Sequence, residues 1–169
     1  MTRTELKPDP LSRTAFAPYG DVIEVSDDNE RIAINYGLTE RHHKLAAPDV
    51  AQGNGWPMIS IFRSQPIQLP FKIQVMERHP LGSQAFMPLS GNRYLVVVAP
   101  AGDLDMTLLR VFVAEPNQGV NYHKGVWHHY CLSLQERSDF LVVDRGGEGQ
   151  NCDEVELGND HSVTIANWN

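Results

Sequence analysis

Lys72-Ile73-Gln74-Val75-Met76-Glu77-Arg78-His79-Pro80-Leu81-Gly82-Ser83-Gln84 reads as a strand that runs into a turn. Strand side chains alternate faces, so Ile73, Val75, Glu77 and His79 share one side and Gln74, Met76 and Arg78 the other. The first side begins apolar and ends polar. A strand climbing the inside of a barrel to a site at its mouth has that character. Outward from it, Ile59 to Arg63, Arg93 to Ala99, Leu108 to Val113, Trp127 to Ser133 and Phe140 to Asp144 are short and β-rich. Pro80-Leu81-Gly82, Ser90-Gly91-Asn92, Pro100-Ala101-Gly102-Asp103 and similar turn clusters separate them. Short strands at such intervals predict a mainly all-β sandwich or barrel with a few short helices. Ser12 is placed to cap one helical turn, and Lys44 to Gln52 is read as another. Ser26 to Glu30 reads as a solvated acidic loop. The chain reads as one domain over 1–169, with roughly 1–58 packing onto the barrel because that stretch is too short to close a core alone.

The chain has 169 residues, 41% hydrophobic and 21% charged, with a net charge of −7. That balance argues against a nucleic-acid partner, which asks for basic surface. It allows a small anionic substrate if the site is locally positive. Cys131 and Cys152 are too few for a disulfide scaffold, and two reduced thiols in a cytoplasmic protein are expected. Arg3, Glu5, Lys7 and Asp9 leave no apolar core for a signal peptide. The longest apolar run, Leu95 to Pro100, is far short of a membrane span.

Glu77-Arg78-His79 is followed by four residues, Gln84, six residues and Gly91; the second segment is His123-Lys124-Gly125-Val126-Trp127-His128. This spacing resembles the two motifs of the cupin family, His-x-His, Glu and Gly, then Pro-x-Gly-x-x-His. Glu77 stands for the first His, Gln84 for the Glu and His123 for the Pro, while His79, Gly91, Gly125 and His128 match. The resemblance implies a cupin-like jelly-roll β-barrel. With the two strands facing each other across it, Glu77, His79, Gln84 and His128 converge as metal ligands. Carboxylate, imidazole and amide oxygen suit a borderline divalent ion. The plainer alternative is a surface Glu77 paired with Arg78. Arg63, Arg110 and Lys124 are candidates for holding a carboxylate, Arg in bidentate fashion. For Arg110, an outer-face position or an ion pair with Asp144 is the alternative. His42 and His43 read as surface, and Trp56 and Trp168 as packing.

Longer stretches carry a narrower resemblance. Ile34-Asn35-Tyr36-Gly37-Leu38-Thr39-Glu40-Arg41, Glu77 to Phe86, Gly119 to His129, Asp139 to Gly147 and Asn151-Cys152-Asp153 resemble the ureidoglycolate lyase family. The resemblance implies a dimeric, cytoplasmic enzyme of allantoin degradation. It splits (S)-ureidoglycolate into glyoxylate and urea, with a divalent metal, nickel being the one associated with bacterial members. No nucleotide cofactor is expected, since no hydride moves and no Gly-rich dinucleotide loop is evident. His123 is the candidate for proton transfer, with Glu77 and His128 at the reacting centre. Without a metal, Glu77 becomes the base and Arg63, Arg110 or Lys124 holds the anion. The alternatives from other classes are a cupin oxygenase or isomerase on another small acid, and a non-catalytic binding protein.

Overall fold

The computed structural model describes residues 2–158 and 161–167, so Trp168 lies outside the described residues. The architecture is β-rich, with several sheets and a few short helices, as expected. A five-stranded antiparallel sheet runs in the spatial order Gly20–Ile23, Gly119–Tyr122, Gln84–Pro88, Ser138–Gly146, Trp56–Ser64. Facing it is a seven-stranded sheet in the order Asp153–Glu156, Val75–Arg78, Trp127–His128, Tyr94–Ala99, Arg110–Ala114, Asp9–Pro10. Leu132–Ser133 also pairs with Tyr94–Ala99 in that sheet. A three-stranded sheet of Thr2–Leu6, His161–Ile165 and Phe71–Ile73 forms a further layer.

Tyr94–Ala99 explains the layering. Tyr94, Val96 and Val98 point into the first core, with Phe86, Val120, Phe140 and Val142 of the five-stranded sheet. Leu95, Val97 and Ala99 point the other way, against Val163 and Ile165 of the three-stranded sheet. A strand buried on both faces must be apolar at every position, which is why this stretch shows no alternation. The Ser12 hydroxyl accepts from the Ala15 amide at 3.3 Å and caps the helix Arg13–Phe16. Phe16 is fully buried and meets Phe112 edge-on, with ring centroids 5.8 Å apart. Leu11, Phe16, Tyr19 and Val22 thus plug the first core from the N-terminal side.

Three expectations need correction. The strand expected from Lys72 to His79 breaks at Gln74, whose carbonyl accepts from the Leu157 amide at 2.7 Å. Phe71–Ile73 joins the three-stranded sheet and Val75–Arg78 the seven-stranded one. The break resets the alternation, so Ile73 lies in the second core with Met76 rather than on the side of Glu77. Trp127 to Ser133 likewise splits into Trp127–His128 and Leu132–Ser133. The intervening residues turn Trp127 and Leu132 to the second core and Cys131 against the first. Lys44 to Gln52 forms no helix. Lys44 has φ 54°, and Asp49 is tied to Ser83 by two bonds of 2.8 Å.

Candidate metal centre

Glu77 and His128 are not across the barrel from each other. They sit side by side on adjacent strands, paired in register in the seven-stranded sheet. Gln84 comes from the opposite sheet, where it pairs with Tyr122. His79 lies in the segment that crosses between the sheets. Among the described residues, Glu77, His79 and His128 offer ligand atoms that all lie within 4.8 Å of one another.

The hydrogen bonds fix which atoms face inward. His128 Nδ1 lies 3.1 Å from the Val126 carbonyl. A carbonyl only accepts, so Nδ1 carries the proton and Nε2 is left with a lone pair. That Nε2 is buried without a hydrogen-bond partner and lies 3.4 Å from Glu77 Oε1. At this distance the two are in electrostatic contact rather than an aligned hydrogen bond. His79 repeats the pattern. Its Nδ1 donates to the Asn151 carbonyl at 2.6 Å, and its Nε2 lies 3.2 Å from Gln84 Oε1. The Gln84 amide donates to Asp144 Oδ2 at 3.2 Å, which holds its oxygen toward His79. With a cation in place of any proton on the His79 Nε2, the four inward atoms would all present lone pairs to it. Two imidazoles, a carboxylate and an amide oxygen so arranged fit a divalent cation, and backbone carbonyls fix the imidazoles from behind as metal-binding histidines require.

The surroundings keep these groups in the right protonation state. Burial raises the Glu77 carboxyl, but His128 first, then His79 and His129, outweigh it and hold the group below its ordinary value. Burial pushes the His128 imidazole down, so it stays neutral around pH 7. Tyr122 stacks on the His128 ring at 4.3 Å and 10° and limits its rotation.

His129 faces away from the centre. It packs edge-on against Phe71 at 5.6 Å, and burial pushes its imidazole down to about 4. The unfolded chain takes up that proton near the ordinary histidine value, the folded chain only near 4. Stability is therefore full above about 6.5 and is lost as pH falls from there toward 4, by about 3 kcal/mol from this group. Urea denaturation at pH 7.5 and pH 5 is expected to show a smaller pH-dependent loss in His129→Phe than in the wild type.

The cationic candidates lie elsewhere. Arg63 is exposed and bidentate with Asp139 at 2.8 and 2.9 Å. The register puts Asp139 five residues down its strand from Asp144, roughly 17 Å from the Gln84 end. Arg110 neither reaches Asp144 nor turns into the core. It is exposed, packs over Phe112 and pairs with Asp9 at 2.7 Å. Lys124 is at the mouth but bonded to Asp49 at 3.0 Å. Arg78 turns away from Glu77 to Asp153 at 2.9 Å and stacks over Trp127. His123 is half-exposed, 3.2 Å from Asp21. It edges a cleft of about 370 Å³ shared with Asp21, His43 and Lys44, which lies beside the cluster and does not contain it. His42 bonds Asn29 at 2.8 Å, and Trp56, expected to pack, is more than half exposed.

Sequence reasoning missed Asn151 and Asp144, which orient His79 and Gln84. Asn151 also accepts from the Leu81 amide at 2.8 Å, pinning the turn between the two ligands. Its signal was present in Asn151-Cys152-Asp153, but without an assigned role. Glu77, Cys152 and Glu154 form a second, more exposed group that shares Glu77.

A sequence model described as ureidoglycolate lyase matches residues 3–164. The chain belongs to the ureidoglycolate lyase family. Among its relatives is a ureidoglycolate lyase of Burkholderia mallei, 57% identical over 149 residues, 88% of this chain and 87% of that one. A second, of Pseudomonas paraeruginosa, is 54% identical over 161 residues, 95% of each chain. A solved dTDP sugar isomerase of Desulfovibrio desulfuricans shares 15% identity over 85% of this chain and 87% of that one. The TM-score between the two is 0.44. No helix among the described residues is long and apolar enough to cross a membrane.

Proposed function

We propose that the chain is a ureidoglycolate lyase that cleaves (S)-ureidoglycolate to glyoxylate and urea at the Glu77, His79, Gln84 and His128 centre. Family membership supports the reaction. The observation that carries the site is the convergence of buried lone pairs, above all the orphaned His128 Nε2. Ureidoglycolate has one carbon bearing a hydroxyl, a carboxylate and a urea nitrogen. Lysis breaks the O–H and C–N bonds, forms the carbonyl and returns a proton to the departing nitrogen. A bound divalent ion, nickel by the family resemblance, supplies Lewis acidity toward the hydroxyl and carboxylate oxygens. Asn151 and the Val126 carbonyl hold the imidazoles in their ligand tautomers, and Asp144 holds the Gln84 oxygen inward. His123, oriented by Asp21, moves the proton between hydroxyl and leaving nitrogen. The enzyme works as a homodimer in the cytoplasm, serving nitrogen recovery from purines. Glyoxylate formation from (S)-ureidoglycolate under strict anaerobiosis tests this reading against an oxygenase. Turnover without oxygen supports the lyase, and strict dependence on oxygen contradicts it.

A further inference from the structure

Among the described residues, Arg31–Ile34 and Thr39–His42 pair only with each other. Their hairpin is exposed along nearly its whole length, with Leu38 90% exposed and Tyr36 fully so. An isolated two-stranded hairpin is marginal in water. The turn of this one holds Asn35 at φ 54°, ordinary for asparagine, and Tyr36 at φ 58°, uncommon for so bulky a side chain. The register puts Ile32, Ile34, Thr39 and Arg41 on one face. Arg41 has no ion pair or hydrogen bond to any described residue, whereas Lys124, Arg78 and Arg145 nearer the centre are engaged. Lys124 holds Asp49, Arg78 holds Asp153, and Arg145 is bound by the carbonyls of Gln52, Gly53 and Glu148.

The same chain carries a matching surface. Trp56–Ser64 is a nine-residue strand with one edge unpaired. Ile59 and Ile61 are exposed on its outer side, and Trp56 and Met58 on its inner side. A long apolar edge of this kind is a template for another chain. Its mouth end is at the centre, since Met58 pairs with Asp144, the residue that orients Gln84. Asp144 lies at that end and Glu77 faces it from the other sheet, and the arm's exposed face carries an unpaired arginine beside Ile32 and Ile34.

We propose that this arm seats on a second copy of the chain, along the free edge Trp56–Ser64, and carries Arg41 to the mouth of that copy's site to hold the substrate's carboxylate. Each site is then incomplete without the partner's arm, and the arrangement is reciprocal, as a two-fold interface requires. The identity of the anion rests on the ureidoglycolate reading; the seat of the arm does not.

The test uses full-length chains bearing two different tags, coexpressed and purified through both. One chain carries Arg41→Ala, the other His128→Gln. Each variant alone is expected to lose about 100-fold in kcat/KM. In the mixed dimer, one site has an intact centre and receives an intact arm, so activity returns to about half that of the wild type. A mixed dimer as inactive as its parents overturns the proposal, as does full activity in Arg41→Ala alone. Light scattering on wild type and Leu38→Glu supplies an arm readout independent of chemistry. A dimer that Leu38→Glu converts to a folded monomer supports the seat, while a monomeric wild type or an unaffected dimer overturns it. If the wild type forms no glyoxylate, the ureidoglycolate reading fails and light scattering alone judges the arm.

Discussion

Replacing His128 by alanine is expected to reduce ureidoglycolate turnover by about 100-fold or more while leaving a folded protein. The imidazole is 1% exposed, carries the orphaned Nε2 and stacks on Tyr122. Truncation removes one converging ligand and opens a void beneath Tyr122. The void costs about 3 kcal/mol, within the 5–15 kcal/mol of a typical domain. A melting temperature lower by roughly 10 °C is expected for a chain of this size. His128→Gln fills more of the space and separates the effects, because it recovers stability without recovering the imidazole. Thermal unfolding and turnover measured on both variants check this. Wild-type turnover in either variant contradicts the assigned centre.

Glu77→Gln is expected to weaken divalent-metal binding by more than about 100-fold with little change in fold. Glu77 is the only formal negative charge among the four converging residues. His128 and His79 hold it ionised against the burial that raises it. The amide keeps the shape and loses the charge. Stability should change little, because the side chain is only partly buried and its neighbours lose no hydrogen bond. Nickel titration calorimetry on metal-free wild type and variant reads the difference. Equal affinities would place the metal, if any, elsewhere. Glu154 and Cys152 share Glu77 in the second group, so their substitution serves as the control.

The four converging residues were legible because three of them lie within one strand–turn–strand unit. The distance from Glu77 through His79 to Gln84 is fixed by a local turn, and local geometry is what a sequence displays. Their arrangement was less legible. His128 was expected opposite Glu77 across the barrel, and it is Glu77's ladder neighbour. Pairing between strands fifty residues apart leaves no local mark. The breaks at Gln74 and at His129 to Cys131 were invisible for a related reason. Each lets one stretch serve two sheets or two ladder segments, and both halves keep strand-like composition. The arginines were least legible of all. Arg110 finds Asp9 across a separation of 101 residues, and Arg63 finds Asp139 across 76. Tyr36-Gly37-Leu38 was recognisable as a family word, but its exposure emerged only from the folded chain.

The most direct test follows urea, glyoxylate and ammonia together when the metal-free protein meets (S)-ureidoglycolate, before and after nickel is restored. The account predicts little turnover without the metal. With it, urea and glyoxylate should appear in equal amounts and no ammonia should form. Ammonia in place of urea, or full turnover by the metal-free protein, would contradict a lyase built on the Glu77, His79, Gln84 and His128 centre.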